Sequence, residues 1–181
     1  MMRHSVIITP DTVMINGNPL AHNEKGAALL TELYRNHVGD YPKFFKMDRF
    51  CRLGFLASEM LLADDPERFV PREDRAVAVF TRSGCLSNDL AYWQTVQPED
   101  YFPSPSLFVY TLPNTVTGEI AIRNKYKGDT SAFVLPAYDE SAIAAQMGAL
   151  FMDGVTRSAL CLWLDCPPDG PFEAVVSLIE R

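Results

Sequence analysis

The chain has 181 residues, 48% of them hydrophobic, 11% aromatic and 22% charged. That composition suits one domain, residues 1–181, with a single well-buried core, and it excludes wholesale disorder or a fibrous repeat. A formal charge of −7 excludes a nucleic-acid binder, because neutralising phosphate needs clustered Lys and Arg; the local basic group is Arg123, Lys125 and Lys127.

The opening apolar run, residues 6–8, is far short of a signal-peptide core, and no later stretch reaches membrane-spanning length without charge or proline. A cytoplasmic protein with no membrane span is expected. Residues 5–9 and 12–15 read as short strands around the Pro10-Asp11 turn, followed by breaker residues at 16–19. Over 24–37, the spacing of Ala27, Leu30, Leu33 and Tyr34 predicts a surface helix. Residues 47–62, MDRFCRLGFLASEMLL, place Met47, Phe50, Cys51, Leu53, Gly54, Ala57, Met60 and Leu61 on one broad apolar face, and the pattern breaks at Asp64-Asp65-Pro66. AVAVFT at 76–81 is a continuous apolar run, as a parallel strand covered on both faces should be.

A Ser83-Gly84 turn and a helix from about Ser87 follow. Pro103 and Pro105 lead into a helix over 115–127, with Gly128 as its left-handed C-terminal cap. Strand-like runs recur at 133–135, 159–164 and 174–179, the last reached through the turn at 167–170. Strands separated by helices predict an α/β sheet, with the final strand forming an antiparallel edge.

One helix does not fit a simple layer. Residues 141–152, SAIAAQMGALFM, are polar only at Ser141 and Gln146, whereas covering one sheet needs an apolar stripe along little more than a third of the circumference. Such a segment must be buried on both sides. It is too short to span a bilayer. It is therefore covered either by another subunit or by long loops of the same chain, such as 96–106. Leaving its large side chains in water would forgo on the order of 5–10 kcal/mol.

Four segments, in order, resemble the N-terminal half of the β-ketoacyl synthases, which condense acyl chains on an acyl carrier protein. These are KMDRFCRLG at 46–54, the strand and glycine turn at 79–84, PSPSLFVYTLPNTVTGEIAIR at 103–123 and DGPFEAVVSLIE at 169–180. The resemblance implies a thiolase-like half, βαβαβαββ, with a mixed five-stranded sheet and helices on both faces. It also places the apolar helix in the central layer between two sheets. By that resemblance the chain corresponds to the first half of the family's fold.

The same resemblance exposes a departure. Counting from Gly128, the family's cysteine falls on Ala137, and a methyl group cannot attack a thioester. The two groups, usually histidines, that stabilise enolate and oxyanion in the family have no counterpart here, since His4, His22 and His37 all precede the first family-like motif. The chain thus resembles the cysteine-less chain-length-factor partners of ketosynthases. A non-catalytic subunit is expected, supporting fatty acid, polyketide or aryl-polyene elongation by pairing with another ketosynthase-like chain or with itself. An acyl carrier protein would engage such a pair only indirectly.

The expected interface is Phe133, Val134 and Leu135 for strand addition, with Ile143, Met147, Leu150 and Phe151 from the apolar helix. Two rivals stand beside this reading: an acyl-thioester enzyme using Cys85, whose place at a helix start could lower its pKa, and a stand-alone homodimeric acyl-binding or regulatory protein. Cys51, Cys85, Cys161 and Cys166 lack paired CxxC spacing, so buried thiols are expected, with neither zinc site nor disulfide framework and no cofactor. Tyr138, Asp139 and Glu140 stand beside the nucleophile position, as a helix cap or as a plug of the acyl site. Tyr92, Trp93, Phe102, Phe108 and Tyr110 line a tunnel or fill core.

Overall fold

A computed structural model describes residues 4–99 and 102–181. The chain opens with a meander of β1 (Ser5–Ile8), β2 (Val13–Ile15) and β3 (Asn18–Pro19), then α1 (Gly26–His37) and α2 (Arg49–Leu61) lead to β4 (Arg75–Thr81). Helices α3 (Leu86–Trp93), α4 (Pro105–Phe108) and α5 (Thr115–Asn124) make the crossover to β5 (Thr130–Val134). Helix α6 (Glu140–Leu150) crosses to β6 (Ser158–Asp165), and a short turn reaches β7 (Glu173–Glu180).

The sheet order is β3-β2-β1-β7-β6-β4-β5. Strand β4 runs parallel to β5 and β6, and β7 runs antiparallel to both β6 and β1. The expected βαβαβαββ path is present in β1 and β4 to β7. Two details differ from expectation. The sheet has seven strands rather than five, because β2 and β3 extend it beyond β1. The final strand is antiparallel but internal, and it pairs along its whole length with β6 while taking β1 on its other side.

Strand alternation builds two cores from one sheet. Val77 and Val79 of β4, with Leu160, Leu162 and Leu164 of β6, face the larger core beneath α1, α2 and α5. Ala76, Ala78 and Phe80, with Ala159, Cys161 and Trp163, face the opposite side and meet Ile143 and Met147 of α6. Helix α2 starts where Asp48 accepts the amide protons of Cys51 (2.9 Å) and Phe50 and buries ten of its thirteen residues. Its Gly54 permits contact with the sheet, since a Cβ there would lie 2.5 Å from Leu164 Cδ1 and 2.7 Å from Val116 Cγ2.

Helix α5 ends earlier than predicted, at a left-handed Lys125 with φ of 59° rather than at Gly128. Gly128 has a different task. A Cβ on it would sit 2.4 Å from the Arg75 carbonyl oxygen, so two backbones cross there. Arg123 does not contribute to a free basic patch: it is packed between the Tyr41 and Phe69 rings and paired with Glu59 and Asp40.

The two ends of the sheet differ. Strand β3 is two residues long and finishes in Pro19, which has no N–H to donate. Strand β5 pairs only with β4 among the described strands. The bonds Val77 N to Asp129 O and Leu135 N to Thr81 O, both 2.8 Å, set its phase, so Thr130, Ala132 and Val134 turn their N–H and C=O groups to the open side. Among the described residues, no helix is long and apolar enough to cross a membrane.

Candidate functional site

Parallel strands β4, β5 and β6 end together, and the ligand crevice of an open α/β sheet lies beyond such ends. Here a cleft of about 640 Å³ occupies that place, with Arg82, Ala137, Tyr138, Trp163, Asp165 and Glu173 among its lining residues. Asp165 ties the end of β6 to the turn after β4. Its carboxylate accepts from the Ser83 amide (2.8 Å), the Ser83 hydroxyl (2.6 Å) and the Arg82 guanidinium (2.7 Å). Trp163 donates its indole N–H to Glu173 at 3.1 Å, and the Tyr138 ring stands edge-on to Trp163 at 5.4 Å.

Ala137 is exposed in the turn between β5 and α6 and reaches this cleft. A nucleophile in that turn would face the cleft just ahead of a helix N-terminus, but the side chain present is inert. Asp139 caps α6 by accepting the Ala142 amide proton at 3.0 Å, so the cap reading of the acidic cluster holds for Asp139. Glu140 lies in the first turn, where a carboxylate favours the helix dipole. Tyr138 lines the cleft itself.

The thiols do not supply a substitute. Cys85 does begin α3, yet it is buried, and burial, reinforced by Asp48 and Asp89, pushes its pKa up to about 12. Desolvation thus outweighs the helix-terminus effect anticipated from the sequence. Burial likewise pushes Cys161 and Cys166 to about 12 and raises Cys51 well above its usual value. Among the described residues, no cluster of His, Cys, Asp and Glu is arranged to hold a metal ion. The histidines sit elsewhere: His4 lines a pocket beside Arg75, at the opposite end of β4, and His22 bonds the Glu24 carbonyl.

Helix α6 covers the second face of the sheet with one side only. Ile143 and Met147 are buried against the sheet, while Ala144, Ala145, Gly148 and Ala149 are exposed. Nothing lies within 4 Å of a Cβ placed on Gly148. The outer face of α6 is thus bare among the described residues, and the expected cover by the loop at 96–106 falls partly on residues 100 and 101, which lie outside them. Beside α6, over β6 and β7, runs an apolar groove of about 170 Å³ floored by Cys161, Val175 and Ile179.

The seven expected interface residues thus divide. Val134 is 67% exposed on the open edge strand. Phe133 stacks on Phe80 at 4.9 Å, Leu135, Leu150 and Phe151 are half-buried against the same core, and Ile143 and Met147 point inward. The outward residues of α6 are the small ones, which the sequence pattern could not separate from the large because all are apolar. The cleft residues Arg82, Trp163, Asp165 and Glu173 were also missed. Their shared position at strand ends was the available signal.

No known protein family matches the sequence, and no curated protein matches it. Solved structures do match the fold. The chain superposes over 99% of its length on the ishigamide ketosynthase/chain length factor, with a TM-score of 0.72 and 14% identity. The fold is that of the ketosynthases. A chain of the ketosynthase in complex with its chain length factor from Xenorhabdus doucetiae matches over 98% of this chain, with a TM-score of 0.59 and 15% identity. A β-ketoacyl synthase from Burkholderia phymatum matches over 99%, with a TM-score of 0.61 and 12% identity. The chain spans 61%, 76% and 58% of the lengths of these three structures, respectively. A ketosynthase-like half-fold is therefore present, with an alanine at the turn where the family's cysteine is expected.

Proposed function

We propose that this chain is a non-catalytic, ketosynthase-like subunit that pairs with a full ketosynthase and supports acyl-chain elongation, in the manner of a chain length factor. The observation that carries the reading is α6: the helix covering the second sheet face turns an unbroken surface of Ala144, Ala145, Gly148 and Ala149 to solvent. Small residues let a second helix approach closely, and the neighbouring groove has apolar walls to receive it. The open edge of β5 offers main-chain pairing alongside. The inert Ala137 and the buried, protonated thiols support a scaffolding or chain-length role over condensation.

Tagged chain recovered from its native host tests the reading. A ketosynthase, identified by mass, should co-purify in equimolar amount, and its condensation products should change length distribution when the pair is dissociated. A strictly monomeric chain at micromolar concentration, with no ketosynthase recovered, would overturn it.

A further inference from the structure

At the end of the sheet opposite the strand-end cleft, a pocket of about 260 Å³ opens where the end of α2, the turn after β2, the start of β4 and the end of β7 meet. Its wall includes Arg75, the first residue of β4, whose side chain is only 3% exposed. Two of the three guanidinium nitrogens are fixed. Nε donates to Ser158 Oγ at 3.0 Å, and Nη1 donates to Asp65 Oδ2 at 2.5 Å and to Tyr126 Oη at 3.1 Å. Nη2 makes no hydrogen bond to a described residue, yet it is not sealed from solvent, so its N–H groups open into the pocket that Arg75 lines. An ionised donor without an acceptor is costly at so buried a position. A carboxylate is the group that such a donor pairs with most strongly. Asn16 adds a second donor at the rim, because its Oδ1 already accepts the Ser5 amide proton at 2.9 Å and its side-chain NH2 faces no such demand.

The opposite charge is present in the same pocket. Asp65 is committed to Arg75 and to the Glu67 amide. Asp64 and Glu180, both exposed, also line the pocket and form no ion pair among the described residues. The rest of the wall is apolar, with Met60 and Leu62 buried and Ile15 and Leu178 half-buried.

These three chemistries select the ligand. An anion alone would meet the carboxylates of Asp64, Asp65 and Glu180, and a cation alone would meet Arg75 and leave its N–H groups unpaired. A molecule carrying both charges satisfies both walls. The volume lies just under the roughly 300 Å³ at which drug-sized sites begin, which suits a small metabolite with a short apolar body.

We propose that this pocket binds a free amino acid with an apolar side chain, its carboxylate on Arg75 Nη2, its ammonium against Asp64 and Glu180, and its side chain against Met60 and Leu178. The site is separate from α6, from the β5 edge and from the strand-end cleft, so it stands or falls independently of the function proposed above.

L-Leucine is the probe, titrated into the full chain and followed in ¹H–¹⁵N spectra. L-Leucinamide, which lacks the carboxylate, and 4-methylpentanoate, which lacks the ammonium, are the controls. L-Leucine should saturate and shift the amide signals of residues 60–65 and 178–180, and each control should bind at least about tenfold more weakly, the cost of one lost charged hydrogen bond. Arg75 is too buried for its removal to be read cleanly, so the exposed carboxylates are varied instead. Asp64→Asn combined with Glu180→Gln should leave the melting temperature within a degree or two of the parent and weaken L-leucine at least about tenfold. Absence of a saturable shift by about 10 mM, where a site with a Kd of about 1 mM is nine-tenths filled, overturns the proposal. A control that binds as tightly as L-leucine, or undiminished binding to the double variant, overturns it equally.

Discussion

Two substitutions on α6, two residues apart, should have opposite effects. Met147 is 3% exposed and, with Ile143, forms the contact of α6 with the second sheet face. Truncating a buried Met to Ala removes about 2–5 kcal/mol of stability. The lower end applies to Met147→Ala, about 2 kcal/mol, because the site adjoins a groove of about 170 Å³ that water can enter. At roughly 2–4 °C per kcal/mol for a chain of this size, the melting temperature should fall by about 4–8 °C. Ala145→Glu replaces one good helix former by another on the exposed side, so stability should stay within about 0.5 kcal/mol of the parent. The same carboxylate would be buried without a partner on pairing, and ketosynthase capture should be lost. Thermal melts followed by circular dichroism, beside a pull-down, separate the two effects. If Ala145→Glu destabilised the isolated chain as much as Met147→Ala, the bare outer face of α6 would be wrong.

Gly128→Ala should lower stability by more than about 3 kcal/mol, since the added Cβ would lie 2.4 Å from a backbone oxygen that cannot swing aside; a melting temperature within a degree or two of the parent would contradict the crossing at Arg75. With a pKa of about 12, Cys85 should resist iodoacetamide at pH 8, where roughly one thiol in ten thousand is ionised, and should form no adduct with an acyl-coenzyme A thioester. An adduct abolished by Cys85→Ala would restore the enzymatic reading. Burial raises the Asp65 carboxyl, but the bonds from Arg75 and the Glu67 amide prevail and leave its pKa below the usual 3.8. A carboxylate depressed in the folded state contributes stability that is fully present above about pH 4 and is lost as pH falls through the lower folded value. Asp65→Asn should therefore flatten the decline of the urea midpoint below pH 4, and an unchanged acid slope would count against that ion pair.

Much of the fold was legible because periodicity reports burial directly. AVAVFT read as a strand covered on both faces and the run at 159–164 as a further strand, and β4 and β6 are buried throughout. The all-round apolar helix announced an uncovered face, and α6 has one. What failed depended on contacts distant in sequence. Placing β7 between β6 and β1 requires knowing that β1 returns to the sheet centre after more than 160 residues, which no local pattern encodes. Gly128 resembled a helix cap because the same residue type serves a left-handed turn and a close backbone crossing. Of the aromatic residues expected to line a tunnel or fill core, Tyr110 is buried but Trp93, Phe102 and Phe108 are exposed, because residue type alone does not say which side of a short helix meets the core.

The unequal ends of the sheet limit what can be built from it. At one margin a two-residue strand finishing in Pro19 refuses further hydrogen bonding, while at the other Thr130, Ala132 and Val134 stay available. Among the described strands β5 is this chain's receptive margin, and joining through it would use that margin up. Strand addition would then stop there rather than run on through the chain into a fibre, so a subunit with an exposed ladder can remain a discrete assembly.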